Sequence, residues 1–207
     1  MDSILTTLKR VAARVTGKGA PAEAQSARVA SRRILFVCMG NICRSPTAEG
    51  VLRKRLQELA PELDVLVASA GTHAYHNGEP PDPRARRAAE RRGVDLRQQR
   101  ARRVDVQDFA QFELVLAMDP TNLADLIALS PPEFHGRIRL FLEFAPQLGR
   151  GDVPDPYYGG ANGFEYVLDL VEEAADGLIE HLRRTPAPPP PPPEAEPAAP
   201  GAPPTSR

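Results

Sequence analysis

Residues 34–46 read Ile-Leu-Phe-Val-Cys-Met-Gly-Asn-Ile-Cys-Arg-Ser-Pro. The apolar run Ile34 to Val37 predicts a short buried strand ending at Cys38. After five intervening residues Arg44 and Ser45 open a helix, read from Pro46 to about Ala60, with Ala48, Val51, Leu52 and Leu56 on one face. A tight loop between a strand and a helix turns its backbone N–H groups inward. That makes an anion cradle, to which the helix N-terminus adds partial positive charge. Gly40 permits close backbone approach, Asn41 tolerates a left-handed conformation, and Pro46 suits the first helical turn. Arg44 supplies a planar fork for two phosphate oxygens. Cys38, at the base of the cradle, feels the same positive field, which favours a thiolate aimed at a bound phosphate. The bland alternative, a buried structural cysteine near a surface arginine, needs strand, Cys-x5-Arg-Ser spacing and helix to coincide by chance.

Outward from that loop, strand and helix patterns alternate. Val65–Ala68, Leu114–Met118 and Ile138–Phe141 read as further strands. Helices are expected near Arg84–Arg92, over Asp119–Leu129 and over Phe164–Leu182. Four apolar strands separated by helices predict an α/β fold: a four-stranded parallel sheet with helices on both faces. In such sheets ligands bind at the carboxyl ends of the strands, where the phosphate-binding loop after the first strand lies.

Composition sets the outer limits. Of 23 prolines in 207 residues, eleven follow Thr185, six of them consecutive from Pro188 to Pro193. Residues 185–207 are therefore expected to be a Pro-rich disordered tail. Residues 1–32 read as a basic, weakly amphipathic N-terminal extension and linker, with Ile4, Leu5, Leu8, Val11, Ala12 and Val15 at helical spacing. The 1–16 segment is either a solvated helix, the preferred reading, or a weak membrane or partner anchor. Residues 33–184 form the expected domain. A net charge of -1 argues against a nucleic-acid partner. No apolar run approaches a membrane span and no secretory signal pattern is present, so a cytoplasmic location is expected. Two cysteines leave no disulfide scaffold, and the four histidines show no metal-ligand spacing, so neither metal nor cofactor is expected.

A thiolate attack on phosphorus also needs an acid for the leaving oxygen. Asp155, in Val153-Pro-Asp-Pro-Tyr-Tyr-Gly159, lies in the long loop after the fourth strand, on the cradle's edge of the sheet, and flanking prolines stiffen it. On its own the segment reads more simply as a turn.

Cys38 to Glu49 closely resembles the signature of the low-molecular-weight protein tyrosine phosphatases. Ser69–Thr72, Gly78–Arg84, Ala117–Asp119 and Asp155–Gly159 resemble further segments of that family, in family order. The resemblance covers about residues 33–184. It implies Cys38 as nucleophile, Arg44 as phosphate clamp and Asp155 as general acid, then base. Met39, Gly40, Asn41, Ile42, Cys43 and Ser45 would complete the phosphate loop, with Asn41 holding its strained backbone and Ser45 hydrogen-bonding the Cys38 sulfur. Tyr75 and Tyr157 would flank a phosphotyrosyl ring on a protein substrate, the product of a tyrosine kinase. One position departs: Gln99 stands where many members have a histidine supporting the loop.

Three rivals remain. A thioredoxin-coupled arsenate reductase needs downstream cysteines, and none follows Cys43. Protein arginine phosphatases have threonine where Ile42 stands. A non-catalytic phosphotyrosine-binding module would have lost residues that are all present here. Cys43 is the one available resolving partner if Cys38 is oxidised, so redox control is expected, against a plain packing role. Asp82 and Asp119 read as structural, and the arginines of 84–92 as a solvated helix face.

Overall fold

β1 (Arg32–Cys38) lies in the middle of a four-stranded sheet, between β2 (Val65–Gly71) and β3 (Leu114–Ala117), with β4 (Ile138–Leu140) outside β3. All three pairings are parallel, and the register sets Cys38 beside Gly71 and Val37 beside Ala117. The computed structural model describes residues 32–187. The expected amphipathic segment 1–16, and the tail from Pro188 on, lie outside the described residues.

β1 is buried along nearly its whole length because both sheet faces are covered. Ile34, Phe36 and Cys38 point into a core shared with α1 (Arg44–Leu59), α2 (Pro83–Arg91) and α5 (Ala161–Arg184). Leu35 and Val37 point the other way, into a smaller core with α3 (Asp108–Gln111) and α4 (Pro120–Leu129). Phe36 meets Phe141 edge-to-face with centroids 4.8 Å apart, inside the larger core. Each such ring contributes about 1.5–3 kcal/mol by burial.

The helix starts follow local chemistry. Pro83 and Pro120 occupy first-turn positions, and Asp82 and Asp119 cap these two helices by accepting from the Arg84 and Asn122 amides. The structural reading of both aspartates is thereby met. At the opposite pole, the buried Arg32 guanidinium donates to the carbonyls of Leu182, Thr185 and Pro186, closing the end of α5 onto the start of β1. Three short 3-10 turns, at Pro132–Arg137, Phe141–Phe144 and Pro146–Leu148, complete the described chain.

Candidate active site

The cradle forms at the carboxyl edge of β1. The carbonyls of Cys38, Met39 and Ile42 are held outward by the amides of Thr72, His73 and Asp82, at 2.9, 3.0 and 2.8 Å. The loop's own N–H groups therefore turn toward its centre. Asn41 makes this curvature with φ 55°, the one positive φ at a non-glycine residue among the described residues. Its side chain holds the turn: Nδ2 donates to Ser45 Oγ and Ser69 Oγ, both at 2.9 Å, and Oδ1 accepts from the Arg102 amide at 3.0 Å. Ser69 donates in turn to Glu49 at 2.5 Å. Burial pushes the Glu49 carboxyl up, against the opposing pull of Ser69 and Arg53.

Cys38 Sγ lies at the bottom of this loop, 3.3 Å from the Asn41 amide and 3.1 Å from Ser45 Oγ. Arg44 is buried beneath it. Its Nη1 donates to Asp119 at 2.5 Å and to the Val153 carbonyl at 3.2 Å, and its Nη2 donates to Asp155 at 3.0 Å. Burial opposes the guanidinium charge, but the negative charge of Cys38, Asp119 and Asp155 outweighs it and the group is held more firmly protonated. Asp119, read from sequence as structural, thus also orients the Arg44 guanidinium. No local signal in its Met-Asp-Pro context marked that second role.

Asp155 combines the two readings its segment allowed. Oδ1 accepts from the Tyr157 amide at 3.0 Å, closing the turn, while Oδ2 reaches Arg44. These groups line a cavity of about 240 Å³ that takes in all six loop residues named from the sequence except Asn41 and Ser45, which lie behind it as struts. Tyr75 and Tyr157 stand on its walls, and Tyr158 and His76 join them. Nothing in the sequence marked His76 beyond the absence of metal-ligand spacing. It leans over Gly40, where an added Cβ would sit 3.0 Å from its ring, and it pairs with Glu79 at 2.8 Å.

Two further sequence readings are revised. Arg84 and Arg92 do not belong to a merely solvated helix face. Arg84 pairs with Asp82 at 2.8 Å, donates to the Tyr157 carbonyl at 3.0 Å, and sits over the Tyr157 and Phe164 rings, so it moors the Asp155 loop. Arg92 joins Glu165, Asp169 and Glu172 of α5. At the departing position, the Gln99 amide donates to the Pro46 carbonyl at 3.0 Å, so it supports the first turn of α1 from the side where the loop ends. Cys43 is a buried free thiol in the cavity wall. Burial first, and then the charge of Asp82, push its thiol up, so it rests protonated.

The low molecular weight phosphotyrosine protein phosphatase family model matches residues 33–187, and the chain belongs to that family. A low molecular weight protein-tyrosine-phosphatase of Streptomyces coelicolor is 42% identical over 154 residues, which are 73% of this chain and 93% of that protein. The mouse low molecular weight phosphotyrosine protein phosphatase is 39% identical over 156 residues, covering 74% and 98%. Among solved structures, a protein tyrosine phosphatase from Entamoeba histolytica with Hepes in its active site superposes with a TM-score of 0.71 at 38% identity, covering 73% of this chain and 97% of that one. No helix among the described residues is long and apolar enough to cross a membrane.

Proposed function

We propose that the protein hydrolyses phosphotyrosine in protein substrates by two-step transfer through Cys38. In the first step the Cys38 thiolate forms an S–P bond as the ester O–P bond breaks, and Asp155 gives its proton to the departing phenolic oxygen. In the second step Asp155 takes a proton from water, which attacks phosphorus, releases inorganic phosphate and restores the thiolate. The inward N–H groups of residues 39–45 and the Arg44 fork hold the equatorial oxygens, where transition-state charge spreads. A phosphate in the cradle competes with Asp155 for Arg44. The carboxyl released from Arg44 is then free to face the departing oxygen.

The observation that carries this reading is the convergence of Cys38, Arg44 and Asp155 on one cavity. Ser45 has a single proton, and a Cys38 thiolate draws it from the alternative acceptor, the Ala70 carbonyl at 3.2 Å. Depth supports phosphotyrosine over phosphoserine, since Cys38 is 3% exposed and a short side chain leaves its phosphate above it. Ile42, apolar and on the cavity wall, supports an aryl ester over phosphoarginine. Hydrolysis of para-nitrophenyl phosphate by the wild type, absent from Cys38→Ser, tests the proposal; turnover surviving that substitution overturns it.

Regulation and location follow from the same thiols. We place the enzyme in a reducing compartment, the cytoplasm, because its nucleophile and Cys43 are both free thiols. Peroxide converts Cys38 to a sulfenic acid, and the Cys43 thiol displaces hydroxide from it as water to form a disulfide that dithiols reduce. Cys43→Ser keeps basal activity and recovers less after peroxide; full recovery removes the redox role. A tyrosine kinase whose product this enzyme removes is the partner implied.

A further inference from the structure

Beyond Tyr75 the surface continues into a second groove of about 430 Å³, lined by Thr72, His73, Arg103, Val104, Asp125 and Leu129 among others. The His73 and Tyr75 rings stack, with centroids 5.0 Å apart and planes within 13°. Tyr75 faces the catalytic cavity and His73 the groove, so the stacked pair is the wall between them. This wall is continuous with the phosphate loop through the Thr72 and His73 amides, which bond the Cys38 and Met39 carbonyls. Across the groove, residues 102–104 run along the end of β2. The Gly71 amide bonds the Arg102 carbonyl at 2.8 Å, and the Val104 amide bonds the Gly71 carbonyl at 2.9 Å.

That pairing fixes the backbone of Arg103 while its side chain stays exposed, and among the described residues its guanidinium has no hydrogen bond or ion pair. Neighbouring charges are committed. Arg102 forks onto Asp108, and Asp105 accepts from the Gln107 amide. Asp125 of α4, half-buried on the groove's other side, is also unpaired. An unpaired cation in the groove next to the substrate pocket, held on rigid backbone, invites an anion.

We propose that this groove receives the residues flanking the substrate's phosphotyrosine and that Arg103 selects an acidic side chain there. The inference rests on the phosphotyrosine reading above. A peptide whose ring lies against Tyr75 has to leave the cavity across one of its walls, and the stacked pair opens onto this groove. Extended chain advances about 3.3 Å per residue, so crossing a wall of this thickness places the selected residue two or three positions from phosphotyrosine. Asp125 sets the groove's limit: it repels a second acid, so the preference is for one acidic residue rather than a run.

The test uses the full chain and phosphotyrosine peptides carrying Glu, Ala or Lys two or three positions to either side, at low ionic strength to limit screening. Wild type should show a KM two- to fivefold lower for Glu than for Ala in one of those positions, the range an exposed ion pair supports, with kcat unchanged. Arg103→Glu should reverse the order to favour Lys, and Asp125→Asn should sharpen the preference for Glu. Para-nitrophenyl phosphate turnover should be unchanged in both variants. Equal KM for Glu and Lys peptides in wild type, or a Glu preference that survives Arg103→Glu, overturns the groove assignment while leaving the phosphatase reading intact. Loss of para-nitrophenyl phosphate turnover in wild type would overturn the phosphatase reading itself.

Discussion

Replacing Asn41 by alanine and, separately, by glycine divides two costs that the phosphate loop carries at one residue. Both substitutions remove three side-chain hydrogen bonds, to Ser45, Ser69 and the Arg102 amide. At a net ~0.5–1.5 kcal/mol each, that loss is about 2–4 kcal/mol. Alanine must also hold φ 55°, which costs a further ~1–2 kcal/mol for an L-residue with a Cβ and no local hydrogen bond. Glycine escapes that strain but loses about 0.5–1 kcal/mol through its freer unfolded chain. The expected order is therefore wild type, then Asn41→Gly, then Asn41→Ala. In a domain of this size each kcal/mol moves Tm by about 2–4 °C, so both variants should melt roughly 5–25 °C lower, alanine lowest. Thermal melts give Tm, and urea titrations at 25 °C give the free energies independently. Turnover of para-nitrophenyl phosphate well below Tm should fall in both, since the Asn41 amide also donates to Cys38 Sγ. Alanine melting at or above glycine would refute the strain argument, and wild-type melting in both would refute the network.

Asp155→Asn should slow aryl phosphate hydrolysis about 10²–10⁴-fold, with a smaller loss for substrates whose leaving groups need no proton; a uniform loss across a leaving-group series would argue against its acid role. Arg84→Ala should lower Tm, because the buried Asp82 loses its ion pair, and should lower kcat/KM for aryl phosphates well below Tm, because it frees the Tyr157 carbonyl end of the Asp155 loop; unchanged kinetics would show that the prolines alone hold that loop. Gly177→Ala would set its Cβ 1.8 Å from the Phe144 carbonyl oxygen, where backbone lies on both sides, so denaturant melts should show a loss at or above the ~1–3 kcal/mol of ordinary overpacking. Burial first, then the charges of Arg139 and Arg32, hold the His181 imidazole below its usual value. The unfolded chain accepts that proton near pH ~6.5, whereas the fold resists it until lower pH. Stability from this group is thus present above about 6.5 and lost as pH falls from there toward the folded value, and His181→Gln should lose less stability than wild type between pH 7.5 and 5.5.

Legibility in the sequence tracked how local each cause is. Periodicity predicted all four strands and four of the five helices, because each carries enough apolar residues for its period to show. α3 went unread: four residues are about one turn, too few for a helical pattern, and Phe109 is buried only through the sheet face above it. β2 continues past Ala68 to Gly71 although Ser69, Ala70 and Gly71 look like the start of a loop. Its pairing with β1 holds them extended through the register Phe36–Ser69 to Cys38–Gly71, a non-local cause that outweighs weak strand propensity. α5 likewise begins at Ala161, three residues before the first apolar position, Phe164.

The same distinction divides the site. Cys38, Asn41, Arg44 and Ser45 lie within eight residues, so the geometry that makes them an anion site is written in their spacing. Asp155 is 111 residues from Arg44, and its own neighbourhood specifies only a turn, which the Tyr157 amide closes. What makes that turn part of a cradle is a relay of backbone bonds. The Met118 amide bonds the Val37 carbonyl at 3.0 Å, which joins the end of β3 to the end of β1. The Val153 amide then bonds the Met118 carbonyl at 2.7 Å, and the Val153 carbonyl accepts from Arg44. Each link depends on strand order, which no single segment encodes. The two-residue step from Val153 to Asp155 then delivers a carboxylate to Arg44, in the loop of Cys38, 117 positions before Asp155. A residue whose role depends on such a relay looks like a turn when read locally. That is why the bare sequence, which offered Asp155 as a candidate acid, still favoured the turn reading, and why the resemblance, which carries the whole order of segments, tipped the balance.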